Sequence, residues 1–399
     1  MSFVLGVVIF VLALLISIML HEFGHFVTAK KFHMKVTQFF VGFGQTIWST
    51  TRGETEYGVK ALPLGGFVKI TGMTALDDVD PADEPRSFRQ QPGWQRIIVL
   101  AAGSFMHFAL AFVLLIILAM GIGLVNEDTN QIGLISPCVP PSAQALNRGA
   151  ACTASDATAP AKLAGIQVND QITAIGGIAV HSWTQLGQAI KAQPKGQPVP
   201  ITVLRHGKAV VLHATPAQIP GRTGGYLGVE AATVFERLGP ISALSYAGST
   251  FGDVLTGSVS AVGHLPSAVP DLFAKDRAKT PAGNVSSVVG VGGITAQVVA
   301  AKEGWQTKIQ FILLIMISLN IFVGAFNLLP LLPLDGGHLA VIIYERARAW
   351  LARLRGRADP GLVDMRRLIP VSIGVFALLV GFGLLLITAD IFNPIHIVQ

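Results

Sequence analysis

Two histidines stand four residues apart in the stretch HEFGH, with a glutamate directly after the first: His21, Glu22 and His25. On a helix, positions i and i+4 share one face, one turn apart. Two imidazoles so placed reach a single tetrahedral zinc, and Glu22 starts the same turn, where it can act on water as a general base. Gly24 is read as leaving open space beside the metal. A catalytic zinc needs a third protein ligand and one free position. The stretch NLLPLLPLDGGH (327–338) offers one carboxylate for that role, Asp335.

These polar residues close an uncharged run, FVLGVVIFVLALLISIML (3–20), long enough to cross a bilayer core. An ionisable group inside such a run is costly and marks function. Four runs are predicted to span: 3–28, 97–122, 309–332 and 369–388, the third broken by Pro330 and Pro333. His21 lies about 27 Å along its span at the helical rise. Asp335 follows the broken end of the third span, so both reach one depth and can share one metal.

The 399-residue chain is 51% hydrophobic and 13% charged, against about 25% charged in soluble domains. It reads as a polytopic α-helical membrane protein with room for small soluble modules. The net charge of +6 does not call for nucleic acid. Lysines and arginines concentrate in 30–96 and in 345–368, which the positive-inside rule assigns to the cytoplasm, with both termini and 123–308 outside. The arginines of 345–368 are read as orientation and lipid-headgroup contacts. The N-terminus lacks a basic n-region and is read as a span, not a signal peptide. Cys138 and Cys152 then share the oxidising side, where a disulfide is possible and two free thiols remain the alternative.

The expected organisation has four parts. Residues 1–122 form an N-terminal membrane part, 123–218 an outer domain, 219–308 a linker near the membrane and 309–399 a C-terminal membrane part. Within the first, YGVKALPLGGFVKITG (57–72) carries two apolar β-type runs flanking Pro63, Leu64, Gly65 and Gly66, a hairpin signal. In the outer domain, a strand near 130–136, a turn and strand over 163–180, a helix over 182–193 capped by Ser182 and a hairpin over 198–216 succeed one another. That order, with Gly165 to Asp170 as its turn element, resembles a PDZ domain of the bacterial protease-associated type. Residues 136–162 read as a loop insertion in it. About 240–262 is expected to form a partly amphipathic helix.

Together, H-E-x-x-H on the first span, N-x-x-P-x-x-P-L-D-G on a later one and the intervening PDZ-like domain resemble the site-2 protease family of intramembrane zinc metalloproteases. The likeness to its bacterial regulated-proteolysis branch runs along nearly the whole chain. It implies His21, His25 and Asp335 as zinc ligands and Glu22 as the base. Asn327 is implied to contact the substrate backbone or the developing oxyanion. LPLGGFVKI (62–70) resembles the family's membrane-associated β-loop, so Pro63, Leu64, Gly65, Gly66 and Phe67 are candidate substrate contacts. The family often has G-P-x-x-N on the second span; this chain has GSFMH, and His107 takes the place of the Asn as a further candidate substrate contact without a metal role. The implied substrates are single-span membrane proteins, such as anti-sigma factors, first shortened outside by another protease. The outer domain would filter them by size or end, in the bacterial cell membrane. Two other readings stay open on the residues alone: a prenyl-protein type of membrane zinc protease, and a non-enzymatic metal transporter or sensor.

Overall fold

The computed structural model describes residues 2–73, 77–126, 128–147, 151–193, 196–274, 277, 280, 285–301 and 304–395. They fall into two compact units, Met1–Ile122 with Gly239–Gln399, and Gly123–Leu238.

The first unit opens with α1 (Ser2–Lys31). Its first twenty residues are almost all apolar and without proline, and in lipid a helix satisfies every backbone group within the segment. Lys30 and Lys31 in the last turn complement the helix dipole, and His33, at φ 59°, ends the run. Two long strands follow, β1 (Val36–Arg52) and β2 (Thr55–Ile70), which pair antiparallel. The turn between them is Gly53-Glu54, with Gly53 at φ 65°. The expected turn at Pro63–Gly66 is therefore corrected: those residues lie inside β2. Their glycines answer to close approach instead. A Cβ on Gly66 would stand 2.5 Å from Met19 Sδ, so only glycine lets β2 run against α1.

Register shifts fold the hairpin back on itself. Phe39 pairs with both Tyr57 and Val68, so residues 38–41 sit between the first and last parts of β2. This leaves 66–70 as an edge strand. Arg86, with Lys30, grips Glu54 at the turn and holds its carboxyl down at about 2. The hairpin is thereby tied to the end of α1. A cluster of Ala29, Met34, Val36, Ile70, Phe88, Val99, Leu100 and Ile342 fixes the same region from inside.

Next comes α2 (Gly93–Ile117), continued by a wider turn to Ile122. The second unit holds β3 (Leu124–Asn126), β4 (Ile132–Ile135), α3 (Ala143–Asn147) and α4 (Pro160–Leu163). It continues with β5 (Gln171–Ile175), β6 (Ile178–Ala179), α5 (Trp183–Ala192), β7 (Val199–Arg205) and β8 (Lys208–Ala214), and ends with β9 (Val229–Ala231) and β10 (Val234–Glu236). An antiparallel sheet in the order β6-β5-β7-β8 packs with α5 around Ile132, Ile172, Leu186, Ile201, Val203 and Leu227. Ser182 caps α5 by accepting from the Gln185 N–H. β9 pairs with β4 and β10 with β3, so this unit runs to Leu238, past the expected boundary at 218. Cys138 and Cys152 are joined and close the inserted loop.

The chain returns to the first unit through α6 (Pro240–Leu272), α7 (Val288–Ala300), α8 (Trp305–Asn327), α9 (Asp335–Leu354) and α10 (Ile369–Phe392). Among the described residues, four helical stretches are long and apolar enough to cross a membrane: Phe3–Lys31, Gly93–Ile122, Trp305–Asn327 and Met365–Phe392. The expected helix near 240–262 is present and longer, and its Phe251 packs edge-on against Phe108 and Phe112 of α2. The apolar α7 was not anticipated. It crosses α1 so closely that a Cβ on Gly6 would stand 2.6 Å from Ala296 Cα. At the end of α10, Asp390 takes Arg277 at 2.8 Å and the Ser287 N–H at 2.6 Å, a buried anchor for the last span.

In the second unit, Arg205 forks onto Asp170 at 2.7 and 2.8 Å, and the Gln167 N–H donates to the same carboxylate at 2.8 Å. Arg205 holds the Asp170 carboxyl below the usual carboxylate range. A lowered folded pKa stabilises above the unfolded value near 4 and is lost as the pH falls through the folded value. Asp170→Asn is expected to cost this unit about 1–3 kcal/mol at neutral pH. Amide exchange over 123–238 in the full chain measures it, and the gap between the two proteins should close as the pH drops below about 4.

Candidate metal centre

α1 carries His21 and His25 on one buried face. Asp335 opens α9 after the bend of 328–334, where Pro330 and Pro333 forbid a continuous helix. The bend folds tightly over the helix start. A Cβ on Gly336 would stand 2.3 Å from the Leu328 carbonyl, and one on Gly337 2.5 Å from the Leu332 nitrogen, so the two glycines of D-G-G are steric requirements.

The bend delivers Asp335 Oδ2 to 3.3 Å from His21 Nε2 and 3.3 Å from His25 Nε2, with the two Nε2 atoms 3.1 Å apart. Ligands about 2.0–2.1 Å from a tetrahedral zinc lie about 3.3 Å from one another. The three atoms thus fit three corners of such a site. It is also the one His/Cys/Asp/Glu group of this kind among the described residues. The His25 Nδ1–H donates to the Val99 carbonyl at 2.7 Å, which leaves its Nε2 lone pair for a metal. His21 Nδ1 is buried without a hydrogen-bond partner.

Helix α2 passes directly behind this pair. A Cβ on Gly103 would stand 2.4 Å from His25 Nε2 and 2.5 Å from His21 Cε1. Gly24 does not open space beside the metal, contrary to expectation. A Cβ there would meet the Ala102 carbonyl at 2.5 Å, so it serves the close crossing of α1 and α2.

Glu22 points toward the hairpin, where its Oε2 accepts the Val68 N–H at 3.0 Å. Of the other candidates, Phe67 stacks on Phe40 and Phe43, with ring centroids 5.6 and 6.1 Å away. Gly65, at φ 153°, lies against Phe43, and Pro63, Leu64 and Gly66 run through the same part of β2. Asn327 is the last residue of α8 and half-buried, and among the described residues it makes no hydrogen bond to the trio.

His107 is not among the grouped ligands, but its ring centroid is 5.0 Å from that of His21. It belongs to a buried polar network that sequence reasoning missed. Asn320 Oδ1 lies 2.8 Å from His107 Nδ1 and accepts from the Ser17 hydroxyl at 2.6 Å, while Asn320 Nδ2 donates to the Met316 carbonyl. Two features could have revealed it. Ser17 precedes His21 by one helical turn, and Asn320 is a polar residue within an apolar span.

The profile of Peptidase family M50 matches residues 9–358. The chain belongs to this family, the site-2 proteases. It is 38% identical over 421 residues to the zinc metalloprotease Rip1 of Mycobacterium tuberculosis, with all of both chains covered. It is 37% identical over 422 residues to Rip1 of Mycolicibacterium smegmatis, again over both full lengths. Against the zinc metalloprotease RasP of Shouchella clausii it is 26% identical over 411 residues, covering 84% of this chain and 88% of that one. The chain is a multi-pass membrane zinc metalloprotease, which sets aside a transporter or sensor.

The sharpest test of the site is Gly103→Ala. Its methyl group collides with both imidazoles, so zinc content is expected to fall at least about tenfold, as when groups that orient metal ligands are removed. Zinc measured in the purified, folded protein checks it; full zinc occupancy would contradict the geometry.

Proposed function

We propose that this protease cuts inside the membrane-spanning segment of single-span proteins, of which pre-shortened anti-sigma factors are the expected class. The observation that carries the reading is the bond from the Val68 N–H to Glu22. Val68 lies on the edge strand 66–70, and its N–H leaves the sheet on the side of the metal-binding face of α1. A peptide laid along that edge therefore lies beside the general base. Strand addition of this kind holds a segment extended through its main chain. A helical substrate needs such help, because helix hydrogen bonds occupy its carbonyls.

His21, His25 and Asp335 would hold the zinc, which when bound would supply Lewis acidity for the scissile carbonyl and would bring the pKa of water down toward about 7. Glu22 takes a proton from the attacking water and returns it to the departing amine. A substrate carbonyl that pairs with the Val68 N–H releases Glu22 from its resting contact, so docking of the strand frees the base. Asn327, at the end of α8, is assigned to the developing oxyanion. Pro63 to Phe67 and His107 are assigned to contact the extended segment.

The 123–238 unit is read as a PDZ-like filter outside the cell membrane, which excludes substrates until an upstream protease has shortened them. The basic segments 30–96 and 345–368 support a cytoplasmic location for those loops and an outer one for both termini.

The test is cleavage of a labelled, pre-shortened single-span substrate by the purified protein, with Glu22→Gln alongside and zinc measured in both. The variant is expected to hold about one zinc and to lose about 10²–10⁴ in rate. Cleavage at the unmodified rate would remove Glu22 from its role. In the same assay, replacing 124–238 by a short linker should allow unshortened substrate to be cut, and continued refusal would count against the filter.

A further inference from the structure

At the polar end of α2 and α9, away from the metal-binding trio, lies a crevice of about 360 Å³. One wall is a helical stripe of α9: Arg346, Ala349 and Arg353, at i, i+3 and i+7. The two arginines stand about 10 Å apart along the axis, and the short alanine leaves the space between them empty of side chain. Gly93, the first residue of α2, lies opposite, and a Cβ there would meet Arg346 Nη1 at 2.8 Å. No side chain caps the start of α2, so its first-turn N–H groups add positive potential.

Glu345 is already engaged: it takes Arg96 Nη1 at 3.1 Å and the Val363 N–H at 2.9 Å. Asp359, at the exposed rim, accepts the Gly361 N–H at 2.9 Å and keeps its charge, so the crevice retains a net positive charge from Arg346 and Arg353. Arg89 is spent on Glu84, and Arg348 on the carbonyls of Pro360 and Gly361. Arg346 and Arg353 are exposed and have no carboxylate partner among the described residues. Two guanidiniums without an ion-pair partner, facing one cavity, suit an anionic group with several acceptor oxygens.

The level of the crevice decides the source of that anion. The membrane-crossing stretch of α2 begins at Gly93, and Trp94 beside it is half exposed, as an indole at the lipid–water border is. A headgroup phosphate sits at that level. We infer that this crevice binds the phosphodiester headgroup of an anionic phospholipid, with Arg346 and Arg353 as its two cationic contacts. The site couples the lipid to the two helices that carry Gly103 and Asp335. It requires neither the proposed substrate class nor the proposed orientation.

The test uses the full chain, purified and stripped of lipid in neutral detergent. Retention of phosphatidylglycerol and of phosphatidylcholine is then counted by native mass spectrometry across a lipid titration. The unaltered protein should retain phosphatidylglycerol preferentially. Arg346→Gln with Arg353→Gln should weaken that retention at least about tenfold. Arg355→Gln with Arg357→Gln removes the same charge outside the crevice and should change it less than about threefold. Ala349→Glu, which sets a carboxylate between the guanidiniums, should match the first pair, and equal zinc content shows that each variant is folded. Equal losses in both arginine pairs would mean diffuse surface attraction and overturn the inference. So would indifference between the two lipids, or displacement of phosphatidylglycerol by millimolar inorganic phosphate, which would mark a site for a soluble anion.

Discussion

Two imidazoles of one apolar helix and a carboxylate of a second helix, all within 3.3 Å of one another, have to be held together at membrane depth. That constraint governs the first unit. Polar groups without water must find partners in protein, and a loose arrangement would leave them unpaired in hydrocarbon. The neighbours of the trio are correspondingly close. Val99 supplies a carbonyl to His25, Gly103 supplies absence of a side chain, and the D-G-G bend supplies a carboxylate from a segment more than three hundred residues away along the chain. Val99 and Gly103 belong to no ligand group, yet each limits where the three atoms can go.

Rigidity is provided at the end of the spans where the chain is most polar. The buried cluster around Met34, Val36, Ile70, Leu100 and Ile342 joins α1, the hairpin, α2 and α9. The buried pair Arg96–Glu345 ties α2 to α9 a second time, and Glu345 also takes the Val363 N–H from the following loop. Breaking such a pair strands a charge, so its worth lies in fixing the register of two helices more than in net stability. Both elements bear on the geometry of the trio, because α9 carries Asp335 and α2 carries the glycine behind the histidines. The edge strand is aligned to Glu22 by the same cluster through Ile70, two residues beyond Val68.

The meeting of His21, His25 and Asp335 was legible in the sequence because its cues are written locally. The i, i+4 spacing of the histidines, the proline-broken span and the single carboxylate left few arrangements for a third ligand. Four spans followed from apolar length. The hairpin was read from a different cue and misplaced. Pro63-Leu64-Gly65-Gly66 carries turn residues, but the glycines answer to Met19 and Phe43, contacts that only the folded chain creates. The same holds for Gly24 and Gly103: a glycine in a span can mean open space or its opposite, and the sequence does not distinguish them. The extension of the second unit to Leu238 was missed because β9 and β10 are only three residues each and pair with strands about a hundred residues earlier. Short strands leave almost no periodicity to read.

The network of Ser17, His107 and Asn320 bears on the departure of this chain from the family's second-span pattern. Asn320 Oδ1 has two lone pairs, and the Ser17 hydroxyl and the His107 Nδ1–H can fill both. Its amide nitrogen is committed to the Met316 carbonyl, which fixes the orientation of the oxygen. His107 then carries a proton on Nδ1, and its Nε2 edge remains free of this network. An asparagine in its place presents an amide on a shorter stem, and the imidazole donates from Nδ1 with a longer reach. Gly324 on α8 lets the two spans approach closely here, since a Cβ there would stand 2.7 Å from the Phe108 ring and 3.2 Å from His107 Cβ. Asn320 and Asn327 are two helical turns apart on α8 and so share a face. One face of one span thus presents amides at two depths, the first anchoring His107 beside the histidine pair and the second at the level where the chain bends toward Asp335.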